Sequence, residues 1–214
     1  MSDNERIITF INSLETENSE LLEVIEQEAL DAYIPIIKKE TQSFLKVLLK
    51  IHKPIRILEV GTAVGFSALL MSENTPEGCK IVTIENYEKR ALIAEENFKR
   101  MSKENDISLI RGDAMQVLKE LEKPFDFIFM DAAKAQYIHF FPDVLRLLNH
   151  GGVLFSDNVL QDGDIIESRF AIEKRNRTIH DRMREYLYLL KHHDELTTSI
   201  ISLGDGVAVS YKQK

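Results

Sequence analysis

The chain has 214 residues, 44% of them hydrophobic and 29% charged, with nine Gly, five Pro and a formal net charge of −8. That is enough apolar material for one sizeable core, and it excludes a disordered, collagen-like or coiled-coil chain. No apolar run reaches the roughly 18 residues of a membrane span, MSDNERIITF lacks the layout of an export signal, and Cys79 stands alone, so a reducing, cytoplasmic setting is expected.

Residues 1–31 hold nine acids and one base, so the rest of the chain carries equal numbers of each. In this first part, IITFINSL and LLEVIEQEALDAY space their apolar residues by three and four, as a helix requires. Pro35 interrupts the pattern, IIKKETQSFLKVLLKIH resumes it, and Pro54 closes it. One domain is therefore expected, with a helical extension over 1–53 ahead of a main unit over 54–214.

From there the pattern changes. RILEV, KIVTIE, ISLIRGD, FDFIFMD and GVLFSDN are short apolar runs that end in polar residues and alternate with helical stretches. Such alternation predicts a mostly parallel sheet covered on both faces. The helix YEKRALIAEENFKRMSK is expected to bury Leu92, Ala94, Phe98 and Met101, and AQYIHFFPDVLRLLNHGG to stop at Gly151 and Gly152. A basic stretch follows, with seven bases against three acids over 169–191. It is either a solvated helix face or a patch that meets a polyanion. TTSIISL, the turn Gly204-Asp205-Gly206 and VAVSYK form an antiparallel hairpin. The expected fold is α/β, with seven strands in one mostly parallel sheet, a C-terminal hairpin and N-terminal helices.

Ligands of open α/β sheets bind at the carboxyl ends of the strands. After the first strand, Gly61 and Gly65 either let the backbone pass beneath a ligand or simply form a turn; the spacing is not the Gly-x-Gly-x-x-Gly of dinucleotide sites. Glu85 ends the second strand and is placed to accept ribose hydroxyls, or is a solvated acid. Asp113 follows the third, where it meets an adenine amino group, caps the next helix, or does both. Three acids, Glu59, Glu85 and Asp113, disfavour a polyphosphate and suit a cationic nucleoside such as S-adenosylmethionine. Asp131, Asp157 and Asn158 end the fourth and fifth strands and make an all-oxygen set suited to Mg²⁺ rather than zinc. Lys134 begins the following helix within reach of the same place, where burial and a cation would lower its pKa and let it act as a base.

Leu58-Glu59-Val60-Gly61-Thr62-Ala63-Val64-Gly65-Phe66-Ser67, Asp131-Ala132-Ala133-Lys134 and Asp157-Asn158-Val159-Leu160 resemble the cation-dependent O-methyltransferases related to catechol and caffeoyl-CoA methyltransferases. The likeness runs from about residue 30 onward and implies a Rossmann-like methyltransferase fold. Tyr33-Ile34-Pro35-Ile36, Ala135-Gln136-Tyr137, Lys174-Arg175-Asn176-Arg177 and Gly204-Asp205-Gly206 are similar to the branch that methylates 5-hydroxyuridine at the wobble position of bacterial tRNA. Ala135 departs from the Gly often found there. The resemblance implies S-adenosylmethionine contacts at Ile37, Ser67, Glu85, Asp113, Ala114 and Asp131, with Glu59 and Gly61 beside them. It also implies a divalent cation on Asp131, Asp157 and Asn158, catalysis by Lys134 and Asp131, and a homodimer. The tRNA partner would meet Lys174, Arg175 and Arg177, with the acidic N-terminal segment turned away from RNA or placed at the dimer contact. A methyltransferase of small phenols is the alternative. A nicotinamide dehydrogenase is disfavoured by the missing glycine fingerprint and by the strand-end oxygen set.

Overall fold

A computed structural model describes residues 3–213. Met1, Ser2 and Lys214, which fall within the two expected segments, lie outside the described residues. The helices are α1 (Asp3–Asn12), α2 (Glu20–Asp31), α3 (Lys39–His52), α4 (Phe66–Glu73), α5 (Glu88–Arg100), α6 (Ala114–Glu120), α7 (Tyr137–Leu147) and α8 (Arg177–His192). The strands are β1 (Arg56–Val60), β2 (Lys80–Glu85), β3 (Ile107–Arg111), β4 (Phe125–Met130), β5 (Leu148–Ser156), β6 (Leu196–Ile201) and β7 (Val207–Lys212). Short 3₁₀ turns cover Lys134–Gln136 and Gln161–Ile166.

The strands form one seven-stranded sheet in the order β3-β2-β1-β4-β5-β7-β6. The first five run parallel, and β7 and β6 close the edge as an antiparallel hairpin. Alternate residues face opposite sides of the pleat, so each strand feeds two cores. Leu58, Val60, Ile128 and Met130 pack beneath α6, α7 and α8, whereas Ile57, Phe127, Phe129 and Phe155 pack beneath α2, α3, α4 and α5. The second core includes Leu22, Ile25, Leu45 and Leu49, so α2 and α3 are built into the main unit and are no loose appendage.

Two local expectations are corrected. In α5 the buried face is Ala91, Ala94, Asn97 and Phe98, and Leu92 lies exposed beside it. Helix α7 ends at Leu147, ahead of the glycines. Leu148 already pairs with Phe125, and the register shifts before Phe127 pairs with Val153. Gly151 has a φ of +81°, and a side chain on Gly152 would meet the Asn149 and Asp126 carbonyls, so both glycines serve a bulge inside β5.

Candidate active site

The strand order reverses between β1 and β4, and the connections that leave these two strands diverge there. Register aligns the residues just past the strand ends. Val60 pairs with Met130 and Met130 with Ser156, so Gly61, Asp131 and Asp157 occupy successive positions across the sheet edge. Backbone bonds extend the ladder beyond the strands, Asp131 N–H to Val60 O (3.0 Å) and Asp157 N–H to Met130 O (3.0 Å). Gly61 has a φ of +105°, and a Cβ there would lie 2.0 Å from the Asp131 carbonyl oxygen. The tips of β1 and β4 therefore touch only because position 61 has no side chain.

A cleft of about 690 Å³ opens over this edge. Of the expected residues, Ile37, Gly61, Ser67, Glu85, Asp113, Ala114, Asp131, Lys134, Asp157 and Asn158 all line it. Glu85 is oriented from below: its oxygens accept the Ala63 N–H (2.9 Å) and the Tyr87 N–H (2.8 Å). Asp113 caps α6 by accepting the Met115 N–H at 2.7 Å while still lining the cleft.

Glu59 is placed differently from expectation. It is fully buried, does not line the cleft, and accepts hydrogen bonds from Ser67 and Thr83, with Thr62 bonded to Thr83 in turn. Burial outweighs those bonds and pushes its carboxyl up to about 8. It supports Ser67 from beneath. Lys174, Arg175 and Arg177 do not line the cleft either. Arg177 binds the Ile172 carbonyl (3.1 Å), and Arg175 pairs with Glu173 (2.7 Å).

Burial pushes Asp131 up to about 6, with Lys134 opposing and Asp205 adding to the shift. Burial followed by the charge of Asp131 pushes Asp157 up to about 7. Two carboxylates in this position repel each other and resist joint ionisation. A divalent cation would reverse that, and two carboxylates plus the Asn158 amide oxygen are the hard donors such an ion takes. Among the described residues no three His, Cys, Asp or Glu side chains group around a metal position, and the Asn158 amide oxygen is the further hard donor that lines this part of the cleft. The residues fit the ion.

The chain matches the O-methyltransferase family model over residues 12–213. It belongs to that family.

Among relatives of this O-methyltransferase, the caffeoyl-CoA O-methyltransferase of Populus kitakamiensis is 30% identical over 78% of this chain and 73% of its own. The catechol O-methyltransferase of Niastella koreensis is 33% identical, over 58% of each chain. The S-adenosylhomocysteine-bound methyltransferase PaMTH1 of Podospora anserina superposes with a TM-score of 0.87 at 25% identity, covering 99% of this chain and 95% of that one. The sheet and hairpin described above are the methyltransferase fold of these proteins.

Three contributors escape a reading of strand ends. The Tyr137 hydroxyl accepts the Ala132 N–H (3.2 Å) and points its proton at the Met130 and Asp157 carbonyls (3.1 and 3.2 Å), clamping the two tips that present Asp131 and Asp157. Tyr186 packs edge-on against that ring at 5.6 Å and bonds Ser156 (2.7 Å). Lys38 and Asp205, 167 residues apart, meet at the mouth of the cleft. A tyrosine one helical turn beyond Lys134 is the visible signal for the first of these; nothing in the sequence pairs Lys38 with Asp205.

Proposed function

We propose that this O-methyltransferase converts 5-hydroxyuridine to 5-methoxyuridine at the wobble position of tRNA, using S-adenosylmethionine and Mg²⁺ or another divalent cation. The convergence of Asp131, Asp157 and Asn158 beside Glu85 and Asp113 in one cleft carries the catalytic part of this proposal. S-Adenosylmethionine supplies an electrophilic methyl group when bound, and a divalent cation supplies Lewis acidity at the substrate oxygens. Glu85 is positioned to accept ribose hydroxyls, Asp113 and Ala114 to flank the adenine, and Ile37 and Ser67 to line the rest of the cofactor's place. Lys134 Nζ is positioned to take or share the proton of the substrate hydroxyl. Bound cofactor and substrate would displace water from the cleft, which favours a transfer in which opposite charges annihilate.

Support for tRNA comes from the motif likeness and from the segment that leaves Asn158 for α8. On it Phe170 is 83% exposed, and Lys174 and Arg175, four and five residues further along, are exposed too; an open ring and open bases on one segment are the residue types that single-stranded RNA takes. A homodimer is proposed on the same family likeness. Exposed Phe10 of α1, Leu14 just beyond it, and Val47 and Ile51 of α3 offer apolar surface for it, and light scattering reads the mass directly.

Nucleoside mass spectrometry of tRNA from cells lacking the protein tests the substrate. The expected result is loss of 5-methoxyuridine with accumulation of 5-hydroxyuridine; unchanged 5-methoxyuridine would overturn it. A small catechol-type phenol is the second candidate, favoured by the names of the Niastella and Populus relatives. Purified protein offered a simple catechol and tRNA lacking 5-methoxyuridine side by side separates the two. EDTA should abolish turnover of whichever substrate is used, and Mg²⁺ should restore it.

A further inference from the structure

An asparagine can turn either end of its amide toward a cation, and only the oxygen end binds one. Asn158 is held in the left-handed region, with φ +57°, and its N–H donates to Asp157 Oδ1 at 2.8 Å, which fixes the backbone but leaves the amide free to flip. The Gly204-Asp205-Gly206 turn between β6 and β7 removes that freedom. It docks on the segment after Asn158 through Val159 N–H to the Gly206 carbonyl and Leu160 N–H to the Asp205 carbonyl, both 2.9 Å. The docking is tight: a Cβ on Gly206 would lie 2.2 Å from Leu160 Cγ, and one on Gly204 would lie 2.7 Å from Thr41 Oγ1. The turn thereby sets Asp205 Oδ2 3.2 Å from the Asn158 amide nitrogen, while Lys38 holds Oδ1.

We propose that Asp205 is a positioning residue for the cation site: it holds the Asn158 NH₂ and so aims the amide oxygen at the ion. A carboxylate oxygen only accepts, so it can face the NH₂ end alone. Asp205 thus acts through Asn158 without binding the ion, with both its oxygens engaged elsewhere. Its role presupposes that Asp131, Asp157 and Asn158 hold a cation, as proposed above. Partners that orient a metal ligand typically change affinity by roughly 10–100-fold when removed.

The test is Mn²⁺ binding to the metal-free full-length protein, followed by the electron paramagnetic resonance of free Mn²⁺, with S-adenosylhomocysteine affinity and Tm measured alongside. Asp205→Ala should weaken Mn²⁺ by about tenfold or more. Asp205→Asn keeps an acceptor oxygen and should stay much nearer the wild type, and the cofactor affinity of both variants should hold. Wild-type Mn²⁺ affinity in Asp205→Ala overturns the proposal. So does equal loss in Asp205→Asn, which would make charge rather than amide orientation the cause. Asn158→Ala separates the two levels. If it binds Mn²⁺ as tightly as wild type, or if the wild-type protein binds none, the cation site itself fails and the role of Asp205 falls with it.

Discussion

Gly61 and Glu59 lie two residues apart and do opposite things. Gly61 permits the contact between β1 and β4 on which the cleft is built, and its substitution is doubly penalised, by a φ of +105° and by the Asp131 carbonyl. Gly61→Ala should cost about 3 kcal/mol or more in urea unfolding; a destabilisation under about 1 kcal/mol would mean the tips can part freely. Glu59 holds its proton in the native state up to about pH 8, against an ordinary value of 4.5. Between those values the native state binds more protons than the unfolded one, so its contribution is full below pH 4.5 and is lost as pH rises through 8, at up to roughly 1.4 kcal/mol per pH unit. Glu59→Gln, which keeps partners for Ser67 and Thr83, should therefore flatten the fall in Tm between about pH 6 and 8.5; parallel curves would remove the buried proton from the account. Asp131→Ala should abolish turnover with Tm unchanged or higher, because it relieves the repulsion at Asp157. A collapse in Tm there would mean that Asp131 serves the fold. Strand-end acids are legible at this scale because parallel register dictates where they emerge. Glu59 misleads because it lies within β1, paired with Thr83; aligning β1 on β2 shows a hydroxyl waiting for it.

Elements are legible where period and punctuation agree, as in the five parallel strands and the hairpin. They are misread where one residue type serves two purposes. Gly151 and Gly152 look like a helix stop and are a strand bulge, because pairing with β4 reaches back to Leu148. The acidity of the N-terminal helices hides their packing: Glu26 is buried between Lys39 (2.6 Å) and Gln42 (2.8 Å), which knits α2 to α3. The clamp made by α7 yields a direct prediction. Tyr137→Phe keeps the ring against Tyr186 but strands the Ala132 N–H, and should lower unfolding free energy by about 1–2 kcal/mol. Unfolding at the wild-type urea midpoint would show that the hydroxyl ties nothing together.

Across the chain the basic stretch is largely satisfied from within, and the acidic N-terminal region in part. Glu28 pairs with Arg100 (2.6 Å), and Glu23 and Glu26 with Lys39, so part of the N-terminal acidity is already matched. In the basic stretch Arg182 binds the Ala135 carbonyl (3.1 Å), Arg184 the Ile165 carbonyl (2.8 Å) and Lys191 the Thr198 carbonyl (2.8 Å). Linear charge counts cannot show this, since carbonyl partners carry no formal charge. Lys174 and Arg175 are then the bases to test against RNA, both exposed, with Arg175 paired among the described residues only with the likewise exposed Glu173. Replacing both with Ala should weaken tRNA binding and make its salt dependence shallower by about one unit of slope for each phosphate no longer gripped, with turnover of a small phenol unaffected. An unaltered slope in a filter-binding titration would take that segment out of RNA contact.

The strand that carries Asp157 is flanked on one side by β4 and on the other by β7, a partner about fifty residues further along the chain. The strands that lead to Glu85 and Asp113 are synthesised long before β7. The edge that presents Asp157 and Asn158 gains its second flanking strand only with β7. Val207, Ala208 and Ser210 of β7 are fully buried, so a protein cut within the closing hairpin should lose stability together with methyl transfer, as its thermal unfolding and turnover would show.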